Sequence, residues 1–231
     1  MMRSPHCRAG RQIRLKAASM RKIFWDDPYQ QELSTRVASV DGNEVTFEET
    51  IAFSFAGGQE SDKASINAMP VLDSKRVDDL ILYTLPDGHG LSPGLPVVMT
   101  IDWPRRYRLM RLHFAAELIL EIVTRKLEWE KVGAHIAEEK ARIDFKTTTN
   151  ANTVLETLAH SYDAIIDADL PIETGYLDPD TQRRYWRIEG FAQVPCGGTH
   201  VRRTGEVGRI TLRRDHPGKG IERIEIRLAA P

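Results

Sequence analysis

The first half of the chain alternates short apolar runs with turn-forming residues, a pattern typical of β-strands. The segment RVASVDGNEVTFEETIAFSF, from Arg36 to Phe55, alternates apolar and polar positions on both sides of Asp41-Gly42-Asn43. Such a turn between two runs of period two predicts a β-hairpin. Residues 70–103 continue in the same style, with brief apolar runs separated by Asp, Gly and Pro. The regular spacing predicts a small β-barrel.

The second half mixes helical and strand periodicities. Residues 104–129 begin with a proline suited to a first helical turn and then repeat apolar residues at helical spacing, which predicts a long helix. Residues 151–170 predict a second, amphipathic helix before Pro171. ARIDFKT from Ala141 predicts a strand, and residues 209–229 predict a closing hairpin.

These elements indicate an α+β fold in two domains. A glycine-motif-containing β-barrel domain is predicted over residues 20–103, and an α+β domain over residues 104–231. We expect residues 1–19 to be a basic, disordered extension or the product of an upstream start codon. They carry five basic residues and no acidic one, and they lack the apolar centre of a secretory signal.

Composition adds few constraints. The chain has 231 residues, of which 41% are hydrophobic and 28% charged, and its formal net charge is −1. These values are ordinary for a soluble globular protein, which we expect to be cytoplasmic, and no apolar run approaches the length of a membrane span. Arginines recur in clusters that could follow a phosphate backbone on one face, although ordinary solvated arginines explain each pair equally well. Two cysteines, Cys7 and Cys196, do not form a disulfide framework, and we expect reduced thiols.

Two separate segments carry metal-ligand chemistry. PCGGTH, from Pro195, places Cys196 four residues before His200, and the helical segment HFAAE places His113 four residues before Glu117. Residues four apart on a helix project from one face, which suits chelation of a single ion. Each half is also compatible with a turn or with solvated neighbours, but together they supply four ligands of types that zinc accepts.

The motifs resemble those of the alanyl-tRNA synthetase editing domains, and most of all the freestanding AlaX-type proteins. The resemblance rests on Cys-Gly-Gly-Thr-His-Val followed by Arg-x-Thr-Gly-Glu-x-Gly at residues 196–208. It extends in the family's order to KIFWDDPYQQE from Lys22 as an opening strand and to the glycine-rich FAGGQESD from Phe55. VGAHIAEEKARIDF from Val132 and GKGIERIEI from Gly218 match its later strands. Threonyl-tRNA synthetases share a related module, but the glycine-rich barrel favours the alanyl branch.

The resemblance implies a zinc-dependent hydrolase and an editing domain with a central antiparallel sheet and a long helix. The substrate would be the ester that joins a wrong amino acid, chiefly serine and secondarily glycine, to the acceptor end of tRNA(Ala). No ATP-binding motif or other nucleotide-cofactor site is found, so the protein would act in trans on released tRNA. His113, Glu117, Cys196 and His200 would hold the metal. The substrate-binding residues would be Gly57, Gly58, Gln59 and Arg202.

Glu117 departs from the family's pattern, which has a second histidine at this position. In one interpretation Glu117 ligates zinc, and two anionic ligands then make the ion a weaker Lewis acid. In the other, Glu117 acts as a general base beside a water in the fourth position. We favour ligation. A third possibility is a weakened metal site in a non-catalytic tRNA-binding or regulatory protein with the same fold. The sequence leaves the oligomeric state open.

Overall fold

The computed structural model describes residues 20–229, so the expectations for residues 1–19, including Cys7, lie outside the described residues. Strands are the main secondary structure of the first half, as predicted. Its elements are β1 (Arg21–Lys22), α1 (Ile23–Asp26), β2 (Glu32–Asp41), β3 (Glu44–Phe47), β4 (Glu49–Thr50), β5 (Ala64–Ile66), β6 (Met69–Pro70), β7 (Asp73–Val77), β8 (Leu80–Thr84) and β9 (Pro96–Ile101).

Seven of these strands form one antiparallel sheet in the order β6-β5-β9-β2-β3-β8-β7. The long strand β2 pairs with β9 along its first half and with β3 along its second half, so it joins the two halves of the sheet. The predicted hairpin is confirmed, because Asp41 pairs with Glu44 across the turn. Gly42 adopts a φ of 57° there, a left-handed conformation that glycine tolerates without steric cost.

The structure of this half differs from the prediction at the barrel and at the opening strand. The pairing describes a half-barrel whose end strands, within residues 20–229, are the short β6 and β7, so the closed barrel is not confirmed. The opening strand expected from Lys22 is wrong. Strand β1 ends at Lys22, and the next four residues turn into α1, which buries Ile23, Phe24 and Trp25.

The second half contains the predicted helices and strands and one sheet that the sequence did not indicate. Its elements are α2 (Trp103–Leu127), β10 (Glu130–Ile136), β11 (Ala141–Lys146), a 3₁₀ turn (Ala151–Thr153), α3 (Leu155–Asp167), β12 (Glu173–Asp178), β13 (Arg183–Ile188), β14 (Ala192–Pro195), a 3₁₀ turn (Thr204–Val207), β15 (Ile210–Gly218) and β16 (Ile221–Leu228).

The long helix α2 begins and ends at recognisable signals. The Asp102 carboxylate accepts a hydrogen bond from the Arg105 backbone N–H at 3.1 Å, and Pro104 occupies the first turn. Glu128 ends the helix in a left-handed conformation. The helix packs against α3 and against β10, β11 and β16. It is therefore buried over most of its length, and it positions two of the predicted ligands in the interior.

Two antiparallel sheets complete this half. The order β10-β11-β16-β15 forms a four-stranded sheet that includes the predicted closing hairpin, and β12-β13-β14 forms a three-stranded sheet. An α+β fold with antiparallel sheets is thus observed. In the described part of the chain, no helix is both long and apolar enough to cross a membrane.

Buried apolar side chains form two groups, one drawn from residues 20–99 and one from residues 109–226. Arg106 joins the two halves. Its fully buried guanidinium donates to the Asp62 carboxylate and to the backbone carbonyls of Pro28 and Ile51. The domain division at residues 103 and 104 stays a prediction.

Candidate metal centre

Helix α2 presents His113 and Glu117 on one face, one turn apart. The His113 Nε2 atom lies 3.3 Å from Glu117 Oε1. His113 is 4% exposed. The pair therefore points into the protein, and it does not form an ordinary solvated ion pair on the helix surface.

The segment after β14 brings the other two predicted residues to this face of α2. Cys196 is anchored because its backbone N–H donates to the Arg184 carbonyl at 2.9 Å. Its Sγ lies 3.5 Å from His113 Nε2 and 3.7 Å from Glu117 Oε1. One donor atom each from His113, Cys196 and His200 lies within 4.8 Å of the others. His113, Cys196 and His200 thus form one group, and Glu117 lies beside it, in contact with His113 and Cys196.

Gly198 makes this convergence possible. A Cβ added to Gly198 would lie 1.9 Å from His113 Cε1 and 2.5 Å from His113 Nδ1. Its φ lies outside the left-handed range, so the requirement is for space rather than for an unusual backbone conformation. Gly197 differs, because a Cβ there would meet no atom within 4 Å. Its carbonyl accepts a hydrogen bond from Trp25 Nε1 at 2.8 Å.

The glycine-rich motif docks onto the metal-binding segment through Gln59. This side chain is fully buried, and its amide donates to the Thr199 hydroxyl at 3.0 Å. Gly58 adopts a φ of 90° and packs so closely on β10 that a Cβ would lie 2.7 Å from the Ala134 carbonyl oxygen. Gly57 lines the cavity beside the cluster. Of the three predicted substrate-binding residues in this motif, only Gly57 therefore faces open space. Gly58 packs against β10, and Gln59 binds the metal-binding segment through Thr199.

That cavity, of about 260 Å³, ends at the cluster. His113 and Glu117, whose side chains are 5% and 14% exposed, form its buried inner end, and Cys196 lines it beside them. The remaining lining residues come from both halves of the chain: Ala56, Gly57, Arg76, Lys131, Pro195, Gly197 and Gly198.

Arg202 lies away from this cavity. It lines a second cavity on the far side of the Gly198–Val201 stretch, together with His200 and Arg184. Its guanidinium lies 4.3 Å from the Tyr29 ring centroid and 3.3 Å from the Asp27 carboxylate. A role for Arg202 in contacting tRNA stays a prediction.

The electrostatics of the cluster favour a cation. Burial would lower the pKa of His113, but the charges and hydrogen bonds of Cys196 and Glu117 raise it to about 10. Burial would raise the pKa of Glu117, but the hydrogen bond and charge of His113 lower it to about 2. Burial, followed by repulsion from His113, lowers the pKa of His200 to about 3, so its ring is neutral. The surroundings of His113 thus stabilise a positive charge at the point where these groups meet. A bound metal ion would take the place of the His113 proton.

Unpartnered polar atoms provide a second sign of fit. Among the described residues, the buried His200 Nε2 atom has no hydrogen-bond partner, and neither has His113 Nδ1, although the other ring nitrogen of His113, Nε2, is the one that faces Glu117 and Cys196. Buried polar atoms are rarely left unsatisfied unless a water, an ion or a functional role accounts for them. A thiol, two imidazoles and a carboxylate are donors that zinc accepts, so the residues present fit this ion.

Trp186 is the site residue that the sequence did not indicate. Its indole Nε1–H donates to Glu117 Oε2 at 3.2 Å, while the ring packs edge-on against Phe114. The indole therefore holds one carboxylate oxygen and leaves Oε1 directed at His113 and Cys196. A tryptophan in β13 carries no local signal of such a contact, which depends on how the three-stranded sheet packs against α2.

Replacing Trp186 by phenylalanine should weaken zinc binding about 10-fold, the lower end of the effect of losing a residue that orients a metal ligand. The ring packing is largely kept, but the Glu117 carboxylate loses its donor. Zinc affinity is measured by competition with a chelator. Trp129→Phe is the matched control, because Trp129 is also buried but packs against Phe145 away from the cluster. Equal affinities for the two variants would contradict this role.

Comparison with known proteins agrees with this architecture. Residues 185–225 match the family model described as the threonyl and alanyl tRNA synthetase second additional domain. The alanyl-tRNA editing protein AlaX-M of Pyrococcus horikoshii is 31% identical over 90% of this chain and 97% of its own length. The AlaX-M protein of Saccharolobus solfataricus is 29% identical over 88% of this chain and 96% of its own length.

Larger proteins match over a part of their length. The alanine–tRNA ligase of Ignicoccus hospitalis is 32% identical over 83% of this chain, which corresponds to 24% of the ligase. The matched family model and the two editing proteins place the chain in the class of aminoacyl-tRNA editing proteins. The chain belongs to the family of AlaX-type alanyl-tRNA editing proteins.

Proposed function

We propose that the chain is a cytoplasmic, zinc-dependent deacylase that hydrolyses the aminoacyl ester of mischarged tRNA(Ala). Its substrates are Ser-tRNA(Ala) first and Gly-tRNA(Ala) second. The observation that carries the proposal is the cluster of the buried His113 and His200 with the partly buried Cys196, beside which His113, Cys196 and Glu117 line a cavity. Membership of the editing family supports the substrate class. The match to nearly the full length of AlaX-M proteins supports action in trans.

In this proposal residues 20–103 carry the glycine motif and residues 104–231 carry the metal ligands. Zinc is held by His113, Glu117, Cys196 and His200. When bound, it supplies Lewis acidity at the ester. The residues of the cavity wall determine which part of a ligand can reach the metal position. Gly57 leaves room along the cavity wall, and the bond between Gln59 and Thr199 keeps the metal-binding segment against the glycine motif.

The role of Glu117 is ligation, for two reasons. Its Oε1 atom is directed at the same point as His113 Nε2 and Cys196 Sγ, and its Oε2 atom is already engaged by Trp186. A carboxylate that served as a general base would instead need a free oxygen facing the substrate.

Replacing Glu117 by glutamine and by alanine distinguishes the two roles. We expect both variants to bind substantially less than one zinc per chain, because the anionic donor is lost, and to lose hydrolysis in parallel. Zinc is measured by elemental analysis after gel filtration. The nearby Glu121→Gln is a matched control, since Glu121 lies on the same helix and pairs with Arg125. Full zinc content with lost hydrolysis would instead assign Glu117 as the base.

Hydrolysis of charged tRNA tests the function itself. Purified protein is incubated with Ser-tRNA(Ala), Gly-tRNA(Ala) and Ala-tRNA(Ala), and the remaining ester is counted over time. We expect serine to be released fastest and alanine slowest. If no substrate is hydrolysed faster than by the metal-stripped protein, the deacylase proposal fails. Retained tRNA binding would then support the non-catalytic alternative.

A further inference from the structure

Two cationic side chains line the cavity that ends at the cluster. Arg76 comes from β7 in the first half of the chain, and Lys131 comes from β10 in the second half. Both residues are exposed. Within residues 20–229, neither forms an ion pair or a side-chain hydrogen bond, whereas the neighbouring Lys75 pairs with Glu44. Their charges are therefore available to a ligand.

The charge of the cavity lining is unevenly distributed, because Glu117 is paired with His113 at the cluster and the wall carries cations that are unpaired within the described residues. Glu117 lies at the inner end with Cys196 beside it, while Arg76 and Lys131 add two positive charges to the wall. The Arg76 charge also affects Lys22. Burial, followed by repulsion from Arg76, lowers the pKa of Lys22 to about 8. Asp78 and Asp79 follow Arg76 in its hairpin, but they are not among the cavity-lining residues.

Such a charge distribution favours a ligand whose anionic part contacts the wall at Arg76 and Lys131 and whose neutral, reactive part lies at the cluster. Phosphodiesters are recognised by cationic side chains that carry no internal partner. A simple amino acid ester carries no anion, and the only anion of a free amino acid is the carboxylate that would have to be the neutral, reactive group, whereas the end of a nucleic acid strand has phosphodiesters beside its ester. The terminal ester of a charged RNA therefore fits with its ester at the cluster and its backbone against the two cations.

We propose that Arg76 and Lys131 form a phosphodiester-binding subsite for the single-stranded 3′ end of the tRNA. The inference rests on the proposed function, and it adds the residues that hold the strand while the ester is at the metal centre. Because the two cations belong to different halves of the chain, strand binding also bridges those halves.

Salt dependence of binding tests the subsite without requiring hydrolysis. Uncharged tRNA(Ala) is titrated into wild-type protein, Arg76→Ala, Lys131→Ala and the double variant at several salt concentrations. Each lost contact with a single strand should reduce the slope of log K against log salt by about 0.7, so the double variant should lose about 1.4. Lys75→Ala is the matched control and should keep the wild-type slope, because Lys75 is neutralised by Glu44 and does not line the cavity.

A tRNA shortened by its three terminal nucleotides locates the contact. We expect the double variant and the wild-type protein to bind this shortened tRNA with the same slope. An unchanged slope on intact tRNA would overturn the subsite, and so would an equal loss on intact and shortened tRNA. Zinc content is measured in parallel and should equal that of the wild type. Failure of wild-type hydrolysis counts against the proposed function alone, since the subsite is judged by binding.

Discussion

Replacing Gly198 by alanine should abolish the metal centre while leaving the fold intact. The added methyl carbon would stand 1.9 Å from His113 Cε1, far inside contact distance, and the ring cannot remain where it is. A displacement of about 1 Å in a catalytic group can cost about 10²-fold in rate. We therefore expect hydrolysis of Ser-tRNA(Ala) to fall at least about 100-fold, together with a loss of bound zinc.

The neighbouring glycine supplies the control. A Cβ at Gly197 meets no atom within 4 Å, so Gly197→Ala should keep its zinc. Circular dichroism and thermal unfolding establish that both variants fold. If Gly198→Ala bound zinc as tightly as Gly197→Ala, the close packing of this backbone on His113 would not be required for the site.

The second large effect is expected at the buried ion pair between Arg106 and Asp62, whose side chains are 0% and 1% exposed. Arg106→Met should lower the free energy of unfolding by about 3–5 kcal/mol, because it leaves the Asp62 carboxylate buried without its cation. The carbonyls of Pro28 and Ile51 would lose donors as well. Urea unfolding monitored by tryptophan fluorescence measures the change.

Two further variants distinguish the loss of stability caused by the unpaired charge from the loss caused by poorer packing. Adding Asp62→Asn to Arg106→Met should recover part of the loss, since the double variant no longer buries a charge. Arg108→Ala, which removes an exposed pair with Glu139, should change stability by no more than about 1 kcal/mol. A loss below about 1 kcal/mol for Arg106→Met would contradict the structural role assigned to the pair.

Local patterns predicted much of the fold. The turn at Gly42, the signals that bound α2 and the closing hairpin all depend on residues close in sequence, and each is observed. The grouping of His113, Cys196 and His200 was also predictable, because each half carries its own spacing, four residues along one helix face and four across the two glycines, while ligation by Glu117 stays a prediction.

Long-range contacts account for what the sequence did not reveal. Trp186 donates to Glu117 across 69 positions, and Gln59 reaches Thr199 across 140. Neither pair has a local pattern, and a glycine-rich motif gives no sign that its glutamine is buried. The open edge of the first sheet and the short helix α1 also depend on tertiary packing, which strand spacing alone does not encode.

The initial rate of Ser-tRNA(Ala) hydrolysis, measured as a function of zinc bound per chain, tests whether hydrolysis depends on zinc held at this site. Protein is stripped with a chelator and reloaded to defined occupancy, with Cys196→Ala as the variant that lacks one donor. We expect the rate to rise in proportion to occupancy in the wild type and to stay at the stripped level in Cys196→Ala. A rate independent of zinc, or a Cys196→Ala protein as active as the wild type, would contradict it.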